Sequence, residues 1–258
     1  MKERLTSNTS LLIYSLIIFA IAQFVDLVNI RPVMYDEAWY ANTAYNFYIG
    51  NGFHNTAVGS GGNANFLLPL ITGCFFHLFG ANLFVIRLIP VLCGLSTLIV
   101  LHFIMNEFDS SKIARTLTYL VFVSVTLFNT IFRFGRPECL SVLCCGVGIL
   151  FFIRYYQDNS IGNILFLSLF AMLSSLAHPA SLIVFLFIGI VLLCNIIVSK
   201  KWNRLLHLIL LFIFAILSIC LIFYVLHCYN LSENSDGSGI FSRFSINNHC
   251  YILVKLII

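Results

Sequence analysis

The feature that most constrains this chain is its series of uninterrupted apolar runs, several of them long enough to cross a bilayer. A first run covers residues 11–30, and others follow at 66–79, 83–105, 113–132, 140–153, 161–177, 182–198 and 205–226. A hydrocarbon core takes about twenty helical residues to span, and lipid offers no partner to an open backbone group. The long runs are therefore expected as helices. Composition agrees, since 60% of the 258 residues are hydrophobic, 26 are Phe, and mean hydropathy is +0.98. No soluble core hides that much apolar surface. The expected fold class is all-α: a polytopic membrane protein of about seven transmembrane helices, with membrane-lying helices in its first outer loop.

The run at 66–79 is the exception. It is short, carries Pro69 and Gly73, and has the length of an interfacial or re-entrant piece. Whether it spans decides the side on which every later loop emerges. If it lies along the interface, Lys2, Arg4, Lys112, Arg115, Arg154, Lys200, Lys201 and Arg204 share the cytosolic side. The positive-inside bias favours that arrangement and a cytosolic N-terminus. It also puts Asp36-Glu37, the turn at 133–138 and Ala177-His178-Pro179 on one outward face. The first run has spanning length and no small-residue cleavage site, so it is expected as a retained anchor. A net charge of +4 suits cytosolic loops far better than a nucleic-acid footprint, which needs a clustered basic face, and no nucleic-acid partner is expected.

The outer loop that follows the first run is patterned. Ala38, Tyr40, Ala41, Ala44, Tyr45, Phe47 and Tyr48 suit a short helix on the membrane, ended by Gly50 and Gly52. Gly59-Ser60-Gly61-Gly62 reads as a hinge. Two adjacent carboxylates, Asp36 and Glu37, open this loop in a chain only 9% charged. Asp36 either caps the loop helix or faces a site. Adjacent helical positions do not share a face, so at most one of the two points into a cavity. Arg133, Arg136 and Glu138 form a second polar group, either snorkelling at the interface or making an anion site beside an acid. His178 is an interfacial histidine or a substrate contact. Asp26 lines the cavity or snorkels.

Nine cysteines show no C-x-x-C pair, and those inside the apolar runs are expected as structural thiols. Cys228 and Cys250 flank a polar loop where they could pair. Asn230-Leu231-Ser232 matches a glycosylation acceptor, a triplet common by chance. No ligand spacing demands a metal.

Asp36-Glu37-Ala38-Trp39-Tyr40, with Ala44 and Gly50 downstream, resembles the first outer loop of the polytopic GT-C glycosyltransferases. The nearest in appearance are the dolichyl-phosphate-mannose-dependent protein mannosyltransferases and the aminoarabinose transferases of lipid A. Arg87-Leu88-Ile89-Pro90 is similar to their Arg-Leu-Pro signature, Arg136-Pro137-Glu138 to a second acidic motif, and Ala177-His178-Pro179 to a later outward turn. The resemblance implies a seven-helix module and a sugar donor carried on polyprenyl or dolichyl phosphate. It implies transfer to an acceptor lipid, glycan or protein on the extracytoplasmic side, in a cell or inner membrane more than in the endoplasmic reticulum. Carried over, Asp36 and Glu138 are the catalytic residues, and Glu37, Tyr40, Arg133, Arg136 and His178 contact substrate. No cofactor is required, and a divalent metal is conceivable without support from the sequence. Many relatives have a Lys-Pro-Pro-Leu-like run where this chain has Phe66-Leu67-Leu68-Pro69-Leu70, so no lysine contact is carried over.

Relatives are longer. Residues 1–228 are expected as the membrane module, with its first outer loop at 31–82, and 229–258 as an outer loop and truncated tail. The rival readings are an inactive truncated transferase and a transporter or flippase component. A transporter is expected to show broken helices and inverted repeats, and no repeat is evident here.

Overall fold

A computed structural model describes residues 2–25, 27–29, 32–53, 55–56, 65–200 and 202–233. Asp26, the Gly59–Gly62 hinge, Cys250 and the polar tail from 234 onward lie outside the described residues.

The described residues include ten α-helices and two short 3-10 segments, Pro179–Ser181 and Trp202–Arg204, and no sheet is found among them. The α-helices are α1 (Lys2–Phe24), α2 (Tyr35–Tyr48), α3 (Leu67–Phe79), α4 (Leu83–Glu107), α5 (Lys112–Ser124), α6 (Thr126–Ile131), α7 (Glu138–Asp158), α8 (Ile161–Ala177), α9 (Leu182–Ser199) and α10 (Leu205–Glu233). Four segments are long and apolar enough to cross a membrane: Leu83–Glu107, Glu138–Asp158, Pro179–Ser199 and Leu205–Val225. Thr9–Phe24, Leu67–Phe79 and Ile161–Ala177 are shorter apolar helices.

The helix ends follow local chemistry. Asn82 caps α4 by accepting the Val85 N–H at 3.0 Å, and Ser111 caps α5 through Ala114 at 3.2 Å. Gly50 and Gly52, at φ of +82° and +85°, turn the chain away from α2 as expected.

Two expectations are corrected. The helix expected over 11–30 ends at Phe24. The run at 113–132 is two helices, because Val125 takes an extended conformation (φ −73°, ψ 122°). The break is stabilised by a polar side chain. Asn129 donates its amide to the carbonyls of Val123 at 2.8 Å and Val125 at 3.4 Å, and accepts from Gln23 of α1 at 2.7 Å. Backbone groups released from a helix in apolar surroundings need such partners.

Packing arranges α4, α7, α8 and α10 as successive neighbours, with α1 and α5 against α4, and α9 against α10 and α8. One core gathers Phe19, Leu98, Phe122, Phe132 and Cys139, and a second gathers Tyr155, Ile164, Leu167, Ile188, Leu192 and Leu208. Gly94 lets the ring of Phe19 approach α4 where a Cβ would collide with it. The third core, of Ala41, Ala44, Phe76, Val85 and Ile86, fixes the α2–α3 pair on the start of α4.

Polar bonds flank α3 on both sides. Asn65, just before α3, bonds Tyr40 of α2 at 2.9 Å, and Arg87 near the start of α4 bonds Glu37 of α2 at 2.9 Å. Both ends of the α3 segment therefore return to the α2 side of the bundle. At 13 residues, α3 is about 20 Å long, short of the hydrocarbon thickness. It packs against α2, with fewer contacts to α4 and α8.

Candidate functional site

The site is built where the starts of α2, α4 and α7 meet. Helix α2 begins after Met34, which makes no side-chain cap. Asp36 is thus not the capping residue, but lies in the first turn beside Glu37, where negative charge complements the helix dipole. One step of about 100° separates them around the axis, and their environments divide accordingly. Glu37 is 0% exposed, while the Asp36 side chain is 50% exposed.

Glu37 is bound on every side by protein. Arg87 donates to it through Nε and Nη2, both at 2.9 Å, in a two-pronged pair. The Gly135 N–H adds a third bond to Oε1 at 3.2 Å. Arg87, 1% exposed, also donates to the Leu27 carbonyl at 2.8 Å and the Val28 carbonyl at 3.3 Å, and lies 5.3 Å from the Phe134 ring centroid. One buried ion pair therefore ties together the chain after α1, the start of α2, the start of α4 and the turn before α7. Gly135 is required there, because a Cβ at that position would strike Ile86.

Asp36 faces the other way. Its Oδ2 lies 3.3 Å from Nη2 of Arg136, and the same guanidinium nitrogen lies 2.6 Å from Oε1 of Glu138. Arg136 thus bridges two carboxylates contributed by different helices. The bridge is incomplete, since Arg136 Nε and Glu138 Oε2 are both buried atoms without a hydrogen-bond partner. Buried polar atoms cost free energy unless paired, so the bridge as it stands leaves one donor and one acceptor uncompensated.

Tyr40, one turn beyond Asp36, closes this cluster. Its hydroxyl accepts from Asn65 at 2.9 Å. Burial, and then the nearby carboxylates of Glu138 and Asp36, push the phenol above its ordinary range, against the opposing influence of Asn65 and Arg136. Tyr40 is therefore a neutral hydroxyl at physiological pH.

Three residues expected to contact substrate have protein partners: Glu37 is enclosed by Arg87 and the Gly135 amide, and Arg133 and His178 bond the backbone. Arg133 donates to the carbonyls of Val25 at 2.7 Å and Ala22 at 3.4 Å, pinning the end of α1. His178 Nδ1 accepts the Ala180 N–H at 3.3 Å, capping the short turn Pro179–Ser181. His178 shares the end of the bundle with Glu138, because Ser174 Oγ donates to the Ser141 carbonyl at 3.2 Å where α7 and α8 run antiparallel.

An open apolar groove of about 480 Å³ lies between α3, α4, α7 and α8, lined by Leu67, Ile71, Val100, Leu140, Leu143 and Leu173, among others, and by none of the charged residues of the cluster. The opposite end of the bundle holds the Arg154–Glu107 pair at 2.7 Å, Arg115 bonded to the Met105 carbonyl at 3.0 Å, and Arg204 near Asn195. The acids of the site and the basic loops thus occupy opposite ends.

Sequence reasoning missed Asn65, for which the chain carries no signal. It also gave Arg87 no role, although a lone cation inside an apolar run was the clue.

A helical bundle with four segments long and apolar enough to cross a membrane defines the class, that of multi-pass membrane proteins. Residues 64–225 match the family described as dolichyl-phosphate-mannose-protein mannosyltransferase, and the chain belongs to that family. The match includes Arg87, Arg136, Glu138 and His178, and begins after Asp36, Glu37 and Tyr40. No match was found among curated proteins or solved structures.

Proposed function

We propose that the chain transfers a sugar from a polyprenyl- or dolichyl-phosphate carrier to an acceptor on the extracytoplasmic face, with Asp36 as general base. The observation that carries this reading is the Arg136 bridge between Asp36 and Glu138 in a bundle that also holds an apolar groove. The groove suits an isoprenoid tail. Arg136 suits the phosphate, since guanidinium binds phosphate oxygens with two prongs and keeps its charge.

In the reaction, an acceptor hydroxyl or amine gives its proton to Asp36 as its oxygen or nitrogen bonds the anomeric carbon. The bond from that carbon to the phosphate oxygen breaks, and the lipid phosphate leaves with the electron pair. Phosphate is already a good leaving group, so positive charge from Arg136 is the help required. Glu138 orients Arg136 and offers Oε2 to a sugar hydroxyl. Glu37 and Arg87 touch no reacting atom; they hold Asp36 and the turn carrying Arg136 in register.

The test is transfer from a radiolabelled polyprenyl-phosphate sugar in reconstituted membranes. Asp36→Asn is expected to lower the rate roughly 10²–10⁴-fold, the usual worth of a positioned base, with membrane insertion intact. Wild-type rates in that variant would refute the role. Transfer in the presence of EDTA is expected to persist, because Arg136 supplies the charge that a divalent metal would otherwise supply. Its loss on chelation would overturn that assignment.

A further inference from the structure

We infer that the end of the bundle away from the Arg136 bridge binds a membrane phospholipid whose headgroup carries a primary ammonium, of the phosphatidylethanolamine class. Its phosphate sits on Arg204 and its ammonium enters the notch beside Asn159. The inference stands apart from the transfer reading, because none of these residues belongs to the Asp36–Arg136–Glu138 cluster.

The notch lies where α7, α9 and the start of α10 meet, lined by Tyr155, Asn159, Leu192, Asn195, Arg204 and Leu208, among others. Arg204 is a cation short of partners. No carboxylate among the described residues pairs with it, and its Nη1 bond to Asn195 Oδ1 is long, at 3.4 Å. Asn195 is itself committed, its amide donating to the Tyr156 hydroxyl at 3.2 Å. That hydroxyl accepts one bond and keeps its own proton to give. A half-buried guanidinium so placed calls for an anion, and its planar fork suits phosphate oxygens.

The notch itself calls for a donor. Asn159 Oδ1, in its wall, is buried and accepts no hydrogen bond, a state that costs free energy until a donor arrives. Asn159 also ends α7 as Lys200 ends α9, both in the left-handed conformation, at φ of 55° and 54°. Two helix C-termini therefore bring partial negative charge to this end. The space open to a water-sized sphere is about 10 Å³, room for about one such group. A primary ammonium has that size and three N–H donors, whereas a trimethylammonium is larger and has none. A headgroup with phosphate and ammonium joined by two carbons answers both demands together. Lipid is the source because apolar side chains flank the notch along the chain: Val198 is 83% exposed, and Leu205 and Leu206 are exposed as well. Trp202, 61% exposed, sits between them in sequence, and Trp gathers at the headgroup level of a membrane.

The experiment is native mass spectrometry of the full chain in detergent, titrated with dioleoyl-phosphatidylethanolamine or dioleoyl-phosphatidylcholine. The two lipids share chains and charges and differ in the ammonium, which has N–H donors only in the first. The first ethanolamine lipid is expected to bind roughly tenfold tighter than the choline lipid. Asn159→Gly keeps the left-handed turn and deletes the acceptor, so it is expected to erase that difference. Arg204→Gln is expected to weaken both lipids. Soluble phosphoethanolamine is expected to leave the bound lipid in place. Equal affinity for the two lipids in the unaltered chain would show that water fills the notch, and would overturn the inference. A preference that survives Asn159→Gly would overturn the assignment of the ammonium to the notch. Displacement by phosphoethanolamine would overturn lipid as the source. The lipid comparison uses the unaltered chain and needs no turnover, so it depends neither on a variant folding nor on sugar transfer.

Discussion

At the scale of single residues, the adjacent acids Asp36 and Glu37 show how one helical step separates two chemistries. Glu37 is enclosed by Arg87 and the Gly135 amide, and Asp36 stands at the open bridge. Removing one partner of a buried ion pair leaves an uncompensated charge, worth roughly 3–5 kcal/mol. Glu37→Gln is therefore expected to lower the unfolding midpoint in detergent far more than Asp36→Asn, and Arg87→Met combined with Glu37→Gln is expected to recover part of the loss. Equal midpoints for the two single variants would contradict the division of labour. Tyr40 makes a pH-dependent prediction. Its folded phenol holds its proton more tightly than a free tyrosine, so above about pH 10 the unfolded chain ionises first and stability declines as pH rises. Tyr40→Phe is expected to flatten that alkaline decline, read from thermal unfolding between neutral and strongly basic pH. The pairing of carboxylates was legible in the sequence, but which one faces outward was not. That depended on Arg87, fifty positions away.

At the scale of elements, the broken α5–α6 segment is the clearest departure from what hydropathy implies. Apolar composition over 113–132 fits an unbroken span, and a hydropathy count has no means of registering a side chain that substitutes for a backbone donor. Asn129 does that for the Val123 and Val125 carbonyls, with Gln23 bonded behind it. Asn129→Leu strands the Val123 carbonyl and the buried Gln23 amide, while the Val125 carbonyl keeps the backbone N–H of residue 129 at 3.2 Å, a cost of roughly 1–3 kcal/mol. A double variant, Gln23→Leu with Asn129→Leu, is expected to be less destabilised than the sum of its singles, as measured by a thermal-unfolding mutant cycle. Additive effects would show that the two amides act independently. The short α3 was legible as an element, since the apolar run at 66–79 that carries Pro69 and Gly73 forms the helix Leu67–Phe79. Gly73 proves to be where the Phe47 ring of α2 presses in, leaving no room for a side chain.

At the scale of the whole molecule, the acids of the site and the basic loops stand at opposite ends, as a chain obeying the positive-inside bias requires. Cysteine placed at Met34, near Asp36, is expected to react with an impermeant maleimide from outside intact cells, and cysteine at Lys200 only after permeabilisation. Labelling of both from one side would dissolve the shared outward pocket. The apolar runs by themselves determined that the described chain is helical and membrane-bound, because lipid leaves a backbone few ways to satisfy its hydrogen bonds. The local motifs showed which polar residues stand out against an apolar background. Only the tertiary structure decided which of them meet. It joined Asp36, Tyr40, Asn65, Arg136 and Glu138, and it drew Arg133 off to the end of α1. The reason is reach: hydrophobic periodicity acts within a helix, whereas a charge settles with whichever distant partner compensates for its removal from water.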